Sequence, residues 1–263
     1  MATSKLEGAT APPHLPDPKK PLGPYRPFTC DPGWKEAWWW LGIPVFVAAL
    51  SLGSYHLAPE WYRRYVLPEA YGILEISHFL IPMLGLFIAG RLACNSFVRV
   101  RPLMWTVSLI AALSCLYIAG EEASWGQHFF HWNTPEYWAV INNQGETNLH
   151  NAYLITEGLP RSILGICVAI GGLGVPFAAL FYPVLSACRI SVFLPPLALV
   201  PTSLGAVGFK LVDYLQNSGH LTGVLHRPSE TIETYLYLFI LAYLIVFVRR
   251  TKELEVAEGI RPN

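Results

Sequence analysis

Six apolar runs divide the sequence, and each is about as long as a helix that crosses a bilayer. Such a helix needs roughly 17–25 mostly apolar residues, because it rises about 1.5 Å per residue. The runs predict membrane helices at residues 38–57, 71–92, 103–121, 163–185, 192–211 and 233–248. Pro228-Ser229-Glu230 precedes the last run and is typical of a helix start. We therefore predict an all-α polytopic transmembrane helix bundle of about six spans.

The spans define one membrane domain with a segment on either side of it. Residues 1–36 are rich in proline and poor in large aliphatic side chains, which predicts a disordered or surface-lying N-terminal arm. Residues 37–249 form the predicted transmembrane domain, whose longest loop covers residues 120–160. Residues 250–263 are the predicted cytoplasmic C-terminal tail.

Lysine and arginine are distributed unequally between the two sides of the predicted bundle. With six spans, 13 of the 18 lie on the side of the two termini, and the others are Arg63, Arg64, Arg161, Lys210 and Arg227. Cytoplasmic loops carry an excess of these residues. The distribution predicts that both termini are cytoplasmic and that the loop at residues 120–160 lies on the non-cytoplasmic side.

The composition favours a membrane protein in a lipid bilayer. The chain is 53% hydrophobic and 14% charged, whereas about 25% of the residues of soluble domains are charged. A formal net charge of +0 gives no indication of nucleic-acid binding. The five cysteines lack CxxC spacing, so we interpret them as small buried hydrophobic residues rather than as a thiolate site.

Polar residues concentrate in the loop that follows the third span. Its first part contains two carboxylates, two imidazoles and two further polar groups: Glu121, Glu122, Ser124, Gln127, His128 and His131. If the helix continued through this part, Glu121, Ser124, His128 and His131 would share one face. A second polar group contains Gln144, Glu146, Asn148, His150 and Asn151. Such residues are costly at a membrane boundary unless they are paired, hydrated or bound to a metal.

Other spans carry ionisable residues near the same membrane face. Glu75 and His78 lie in the second span, Asp213 ends the fifth, and Glu230 and Glu233 begin the sixth. Together with the loop, four segments bring ionisable groups to one side, which predicts a pocket there. The simpler alternatives are a neutral histidine bonded to a backbone carbonyl, and a surface ion pair between Lys210 and Asp213.

Carboxylates and imidazoles at these spacings suit a metal site or a proton relay. We interpret His78, His128 and His150 as ligands for zinc or another divalent metal. The predicted catalytic groups are Glu121, Glu122, Ser124 and Glu146. Further residues would orient these groups or contact the substrate: Glu75, Gln127, His131, Gln144, Asn148, Asn151, Asp213, Glu230 and Glu233.

Three functions fit this pattern. The first is a membrane-embedded, metal-dependent hydrolase that acts on a lipid or other amphiphile from the non-cytoplasmic leaflet. The second is a non-catalytic subunit or assembly factor of a larger membrane complex, with the aromatic-rich loop as its docking surface. The third is a proton-coupled transporter that uses the intramembrane Glu and His residues, which the lack of polar residues in the cytoplasmic half disfavours.

The segments GEEASWGQ at residues 120–127 and QGETNLHN at residues 144–151 resemble the signature of a family of uncharacterised bacterial multi-span membrane proteins. This resemblance implies a bacterial inner (plasma) membrane protein and brings no activity with it. A looser similarity is to the alkaline ceramidase and adiponectin-receptor superfamily of membrane-embedded zinc amidohydrolases. That similarity would assign the ligand roles to Ser77, His78, Asp213, His220 and His226. The superfamily has seven spans and a histidine pair one helical turn apart near the C-terminus, which this sequence lacks.

Overall fold

Six long apolar helices organise the protein. The computed structural model describes residues 30–68, 71–142, 145–149, 159–186 and 189–259. The spans run over Trp34–Leu57, Ile73–Cys94, Pro102–Glu122, Leu159–Phe181, Ile190–Asn217 and Pro228–Ala257. The described residues contain no strand. The predicted all-α bundle of six membrane-spanning helices is confirmed.

Three of the spans are interrupted rather than continuous. The first joins helices Ala37–Trp40, Gly42–Ala48 and Ser54–Leu57 through a π-helical turn at Ala49–Gly53. The fourth has a similar turn at Ile170–Gly174, between Leu159–Ala169 and Val175–Phe181. The fifth starts with 3-10 turns at Arg189–Phe193 and Leu197–Leu199 before helix Val200–Asn217. Prolines and glycines cluster in these parts, and both residue types are common at breaks in a helix.

Shorter elements connect the spans. Single helical turns at Pro59–Trp61, Ser96–Arg99 and Pro183–Ser186 follow the first, second and fourth spans, and a π-helical turn covers Tyr62–Val66. The loop after the third span contains a 3-10 turn at Ser124–Gly126 and short helices at Gln127–Phe130 and Glu136–Ile141.

The sixth span forms the centre of the bundle. In its most apolar window 61% of the residues are buried, against 17–39% in the other spans. It packs against the second, fourth and fifth spans, and the second span packs along the third. Consequently the second and third spans form one wall beside the central helix, and the fourth and fifth spans form the other.

A charge network closes the end of the bundle where the sixth span finishes. The buried guanidinium of Arg250 donates to both carboxylate oxygens of Asp31, at 2.6 and 2.7 Å, and to the carbonyls of Ser191 and Leu194, both at 2.6 Å. These bonds attach two separate segments to the last helix. They give a reason why this helix continues to Ala257, eight residues into the tail predicted from residue 250.

We define the site end as the opposite end, where the second, fourth and sixth spans begin and the third ends. At this end Arg227 takes a left-handed conformation, with φ 50°, and Pro228 is the first residue of the sixth span. Proline suits a first helical position because the backbone N–H it lacks would have no partner in the helix. The predicted helix start is therefore observed, although it lies five residues before the predicted span.

Close helix packing predicts a different response at two glycines of the fifth span. A Cβ on Gly205 would lie 2.2 Å from the buried Tyr235 ring, whereas a Cβ on Gly208 would meet nothing within 4 Å. We expect Gly205→Ala to lower the free energy of unfolding by about 1–3 kcal/mol through overpacking. Thermal unfolding in detergent should show a lower midpoint for this variant. Gly208→Ala is the matched control, and an equal loss in both variants would contradict the packing argument.

Candidate functional site

A buried histidine lies among four carboxylates at the site end. His78 is 0% exposed, and its Nδ1 is 3.7 Å from a Glu122 oxygen, 3.8 Å from Glu233 and 4.0 Å from Glu230. Glu75 lies one turn earlier on the second span, and one of its oxygens is within 4.8 Å of a ring nitrogen of His78 and of an oxygen of Glu122. We call these five residues the His78 cluster: Glu75, His78, Glu122, Glu230 and Glu233.

Helix periodicity explains how three spans assemble this cluster. Glu75 and His78 are three residues apart in the first turns of the second span, so they share a face. Glu230 and Glu233 have the same spacing at the start of the sixth span. Glu122 is the last helical residue of the third span. The predicted convergence of polar groups from separate segments is present for these five residues.

A backbone carbonyl orients the His78 ring. Nε2 is 2.9 Å from the carbonyl oxygen of Glu230 and 2.9 Å from the hydroxyl of Thr234, which itself donates to that carbonyl. Because a carbonyl only accepts, this contact assigns the proton to Nε2. Nδ1 of a neutral ring then presents its lone pair toward the carboxylates. Metal-binding histidines are commonly held in this way, through a bond from the other ring nitrogen.

The distances around Nδ1 leave room for a shared cation. Separations of 3.7–4.0 Å are too long for hydrogen bonds. Two donor atoms that bind one tetrahedral ion at about 2.1 Å lie about 3.4 Å apart. The possible ligand atoms fall into two sets, each within 4.8 Å: Glu75, His78 and Glu122, and His78, Glu230 and Glu233.

Two arginines and a tyrosine surround the carboxylates. Arg161 of the fourth span donates to Glu233, and Arg227 lies 2.8 Å from a Glu230 oxygen. The Tyr237 hydroxyl donates to Glu122 at 2.7 Å, and its ring meets the His78 ring edge-on. The four carboxylates still outnumber the two guanidinium groups by two. An excess of carboxyl groups over guanidinium groups in a poorly hydrated site favours the uptake of a divalent cation or of protons.

A left-handed turn, rather than a continued helix, follows the third span. Ser124, Trp125 and Gly126 have φ values of 45°, 53° and 105°. The expectation of one helical face carrying Glu121, Ser124, His128 and His131 is therefore wrong. The turn folds the Trp125 ring onto Gly120, where an added Cβ would lie 2.9 Å from the ring. Only glycine at position 120 allows this approach.

Adjacent Glu121 and Glu122 have different environments because they point about 100° apart on the helix. Glu122 joins the His78 cluster. Glu121 accepts hydrogen bonds from the Trp125 indole at 2.7 Å and from the backbone N–H of Leu149 at 2.6 Å. It thereby connects the end of the third span to the far part of the loop.

A second cluster forms within the loop, and we call it the His128 cluster: Ser124, His128, Glu146 and Asn148. His128 Nε2 is 2.9 Å from one Glu146 oxygen, and Ser124 donates to the other at 2.8 Å. Asn148 donates to the same Glu146 oxygen at 2.6 Å and to the Ser124 hydroxyl at 3.0 Å. Gln127 supports the cluster by accepting from the backbone of Thr147 at 2.8 Å.

The His128 cluster differs from a nucleophilic triad. In a triad the imidazole bridges the serine and the carboxylate through its two different nitrogens. Here Nε2 of His128 contacts both groups, and the buried Ser124 hydroxyl donates to Glu146. The geometry instead favours a histidine–carboxylate pair. Burial acts to raise the pKa of Glu146, but hydrogen bonds from His128, Ser124 and Asn148 outweigh it and lower the pKa below its usual value.

Residues of both clusters line one cavity of about 780 Å³, although the fully buried His78 ring lies behind the lining. The polar part of the lining contains six carboxylates, two arginines and His128 around the site end. Its apolar part follows the third, fourth and sixth spans toward the middle of the bundle, with Leu113, Ile118, Ile163, Leu164, Leu236 and Ile240. A volume of this size is typical of a ligand pocket. The lining is polar at one end and apolar at the other, as in an amphiphilic molecule.

Several predicted site residues lie elsewhere. Asp213 pairs with Lys210 at 3.0 Å and does not line the cavity, which matches the simpler alternative. His131 is exposed and also lies outside the cavity lining. His220 and His226 are exposed as well, so the ligand set implied by the looser resemblance is not assembled around His78. Gln144, His150 and Asn151 lie outside the described residues.

Arg161, Arg227 and Tyr237 line the cavity and contact carboxylates of the His78 cluster, and the sequence interpretation missed all three. Both arginines were counted only as minority positive charges on the less basic side. An arginine on the predicted non-cytoplasmic side opposes the orientation rule, and such a residue needs a local partner that compensates its charge. The position of the two arginines was therefore a usable signal of a nearby carboxylate. Tyr237 lies four residues after Glu233 on the same helix face, but a tyrosine in an apolar span carries no distinguishing pattern.

No protein-family model, curated protein or solved structure matches this chain.

The lowered pKa of Glu146 predicts a pH-dependent loop. A carboxylate with a depressed folded-state pKa stabilises the fold above its unfolded-state value of about 4.5 and loses this contribution as the pH falls through the folded-state pKa. Glu146→Gln should cost about 1–3 kcal/mol of local stability at neutral pH. Hydrogen exchange in residues 124–149 should reveal this loss, and the difference from wild type should shrink below about pH 4.5.

Glu136→Gln provides the control, because Glu136 is an exposed carboxylate in the same loop. We expect this variant to exchange like wild type at each pH. A difference between Glu146→Gln and wild type that stays constant through the acid range would contradict the assignment.

Proposed function

We propose that the protein is an integral-membrane, metal-dependent hydrolase that acts on an amphiphile at the non-cytoplasmic leaflet. The observation that carries this proposal is that the four carboxylates around the buried His78 line the polar end of a cavity with apolar walls. Its ligand groups suit zinc or another divalent metal, and the bilayer supplies amphiphiles directly to a cavity at this depth.

The metal would be held by His78 together with carboxylates of the cluster. Bound there, a divalent metal would lower the pKa of a bound water and polarise the substrate bond. His78 supports such binding because its Nε2–H is already engaged with the Glu230 carbonyl. Tyr237 and Arg161 orient the Glu122 and Glu233 carboxylates by donating to them. Such outer partners typically change metal affinity about 10–100-fold when they are removed.

The His128–Glu146 pair gives the cavity a second group that can exchange protons. The two side chains are 23% and 22% exposed, so they are reachable from the cavity without being fully solvated. A histidine paired with a carboxylate is a common general acid or base. In the proposed reaction this pair would protonate the leaving group, while a carboxylate of the His78 cluster would accept a proton from the attacking water.

Metal content tests the proposal most simply. We expect protein purified gently in detergent and incubated with Zn²⁺ or Mn²⁺ to retain about one equivalent of metal after desalting, because one histidine and several carboxylates suit one divalent ion. His78→Ala should lose this metal, and Tyr237→Phe should weaken its binding about 10–100-fold. Mass spectrometry of the elements, with protein concentration measured independently, reads out the ratio.

Two further variants keep the metal test informative. His131→Ala removes an exposed histidine outside the cavity and should retain the metal. Glu233→Gln changes the cluster while preserving side-chain size, in case His78→Ala fails to fold. Retention of metal in folded His78→Ala would contradict His78 as a ligand. No retention in wild type would mean that protons rather than a metal compensate the carboxylates.

Lipid turnover tests the hydrolytic part. In nanodiscs that contain a bacterial lipid extract, the metal-loaded protein should incorporate ¹⁸O from labelled water into a lipid-derived product, because hydrolysis adds water across the broken bond. A chelator should abolish the reaction, and fresh metal should restore it. Mass spectrometry of the extracted lipids detects the product. A protein that binds the metal but leaves every lipid unchanged would exclude hydrolysis of these lipids and favour a non-catalytic role.

A further inference from the structure

Exposed apolar residues from two spans line the cavity. Leu113 of the third span and Ile163 of the fourth are 56% and 54% exposed and belong to the lining. Leu159 behaves in the same way and is 47% exposed. We infer from this exposed apolar lining that the cavity has a side entrance between these two spans.

Packing among the described residues explains why this entrance exists. The third span packs mainly along the second, whereas the fourth packs on the fifth and sixth. Among the described residues, the third and fourth spans do not pack extensively against each other. Leu236 and Ile240 of the sixth span form part of the cavity lining between them. An apolar chain could move from the bilayer into the cavity through this gap without crossing water.

Two guanidinium groups stand at the polar end of the same cavity. Arg161 and Arg227 come from different spans, line the cavity and have side chains that are 45% and 33% exposed. Each contacts one carboxylate of the His78 cluster. A guanidinium has five N–H donors, and among the described residues the one recorded partner of the Arg161 guanidinium is Glu233. Arg161 can therefore hold its carboxylate and still donate to a ligand.

We propose that the cavity binds an amphiphile with a phosphate headgroup, which enters sideways between the third and fourth spans. The apolar chain lies along the third, fourth and sixth spans, and the phosphate contacts Arg161 and Arg227. This inference rests on the proposed function in taking the bound molecule to be the substrate of that site. Phosphate is favoured over a carboxylate because its several oxygens can contact two arginines and a divalent cation together.

Competitive lipid binding to the full chain tests this inference without requiring turnover. The detergent-solubilised protein is mixed with equal amounts of phosphatidic acid, diacylglycerol and palmitate, and the bound molecules are counted by native mass spectrometry. We expect phosphatidic acid to be preferred at least about tenfold over the other two. Equal binding of the three, or a preference for palmitate, would overturn the phosphate assignment.

Matched arginine variants locate the headgroup. Arg161→Gln and Arg227→Gln should each reduce the preference for phosphatidic acid over diacylglycerol toward unity. Arg63→Gln is the control, because Arg63 is exposed, pairs with Glu60 and does not line the cavity. The ratio of two lipids bound by the same sample does not depend on how much of a variant folds. A preference that survives in both cavity variants would overturn the assignment.

A third arm separates a lipid from free phosphate. Inorganic phosphate lacks an apolar part, so it should displace phosphatidic acid only at a much higher concentration. If inorganic phosphate displaced phosphatidic acid at a concentration equal to that of the lipid, the proposal that the ligand is an amphiphile would be contradicted. The metal content of the same samples separates the two proposals: metal without phosphate selectivity refutes this inference alone, and phosphate selectivity without metal refutes the metal-dependent function alone.

Discussion

The structure at the site end depends on one constraint: the charge of its buried carboxylates must be compensated by positive groups or hydrogen-bond donors. Glu122, Glu230 and Glu233 have side chains that are 9%, 8% and 15% exposed, and they face the fully buried His78. Several carboxylates that share so little water cannot all remain charged without positive groups nearby. The arginines, the Tyr237 hydroxyl and a cation or protons at His78 together meet this requirement. The same compensation fixes where the second, third, fourth and sixth spans stand relative to one another.

The surrounding loop then has a clear structural role. Its left-handed turn redirects the chain immediately after Glu122, and Glu121 and Gln127 bond its two halves together. As a result the His128–Glu146 pair faces the same cavity as the His78 cluster, although the two clusters come from different parts of the fold. The cavity thus combines a candidate metal site, a histidine–carboxylate pair and apolar walls. That combination is the basis of the proposed chemistry on an amphiphile.

The sequence predicted the features that depend on local periodicity and on the cost of burying charge. Apolar run length located all six spans. The cost of intramembrane charge placed Glu75, His78, Glu122, Glu230 and Glu233 at one membrane face. They were part of a larger predicted set that also contained Glu121, His128 and Asp213, and the metal was assigned to His78, His128 and His150 together. It could not identify the turn at Ser124–Gly126, since two of its three left-handed residues are not glycine and carry no sequence signal for that conformation. The periodic pattern therefore grouped His131 with residues that the turn separates from it.

Pairing across helices was equally inaccessible from the sequence. Arg161 and Arg227 lie outside every polar motif, and their contacts with Glu233 and Glu230 depend on how the fourth and sixth spans meet. Asp213 shows the converse case, because its polarity at a span end is satisfied locally by Lys210. The free-energy cost of burying a charge indicates that a charged residue needs a partner. Only the fold shows whether that partner is three residues away or on another helix.

X-ray absorption spectroscopy of the protein loaded with Zn²⁺ tests the central claim most directly, because it reports the ligands around the metal itself. The account predicts one imidazole nitrogen with the remaining ligands oxygen, at about 2.0–2.2 Å, and loss of the imidazole signal in His78→Ala. A site with several imidazoles or with sulfur ligands, or a spectrum that His78→Ala leaves unchanged, would contradict it.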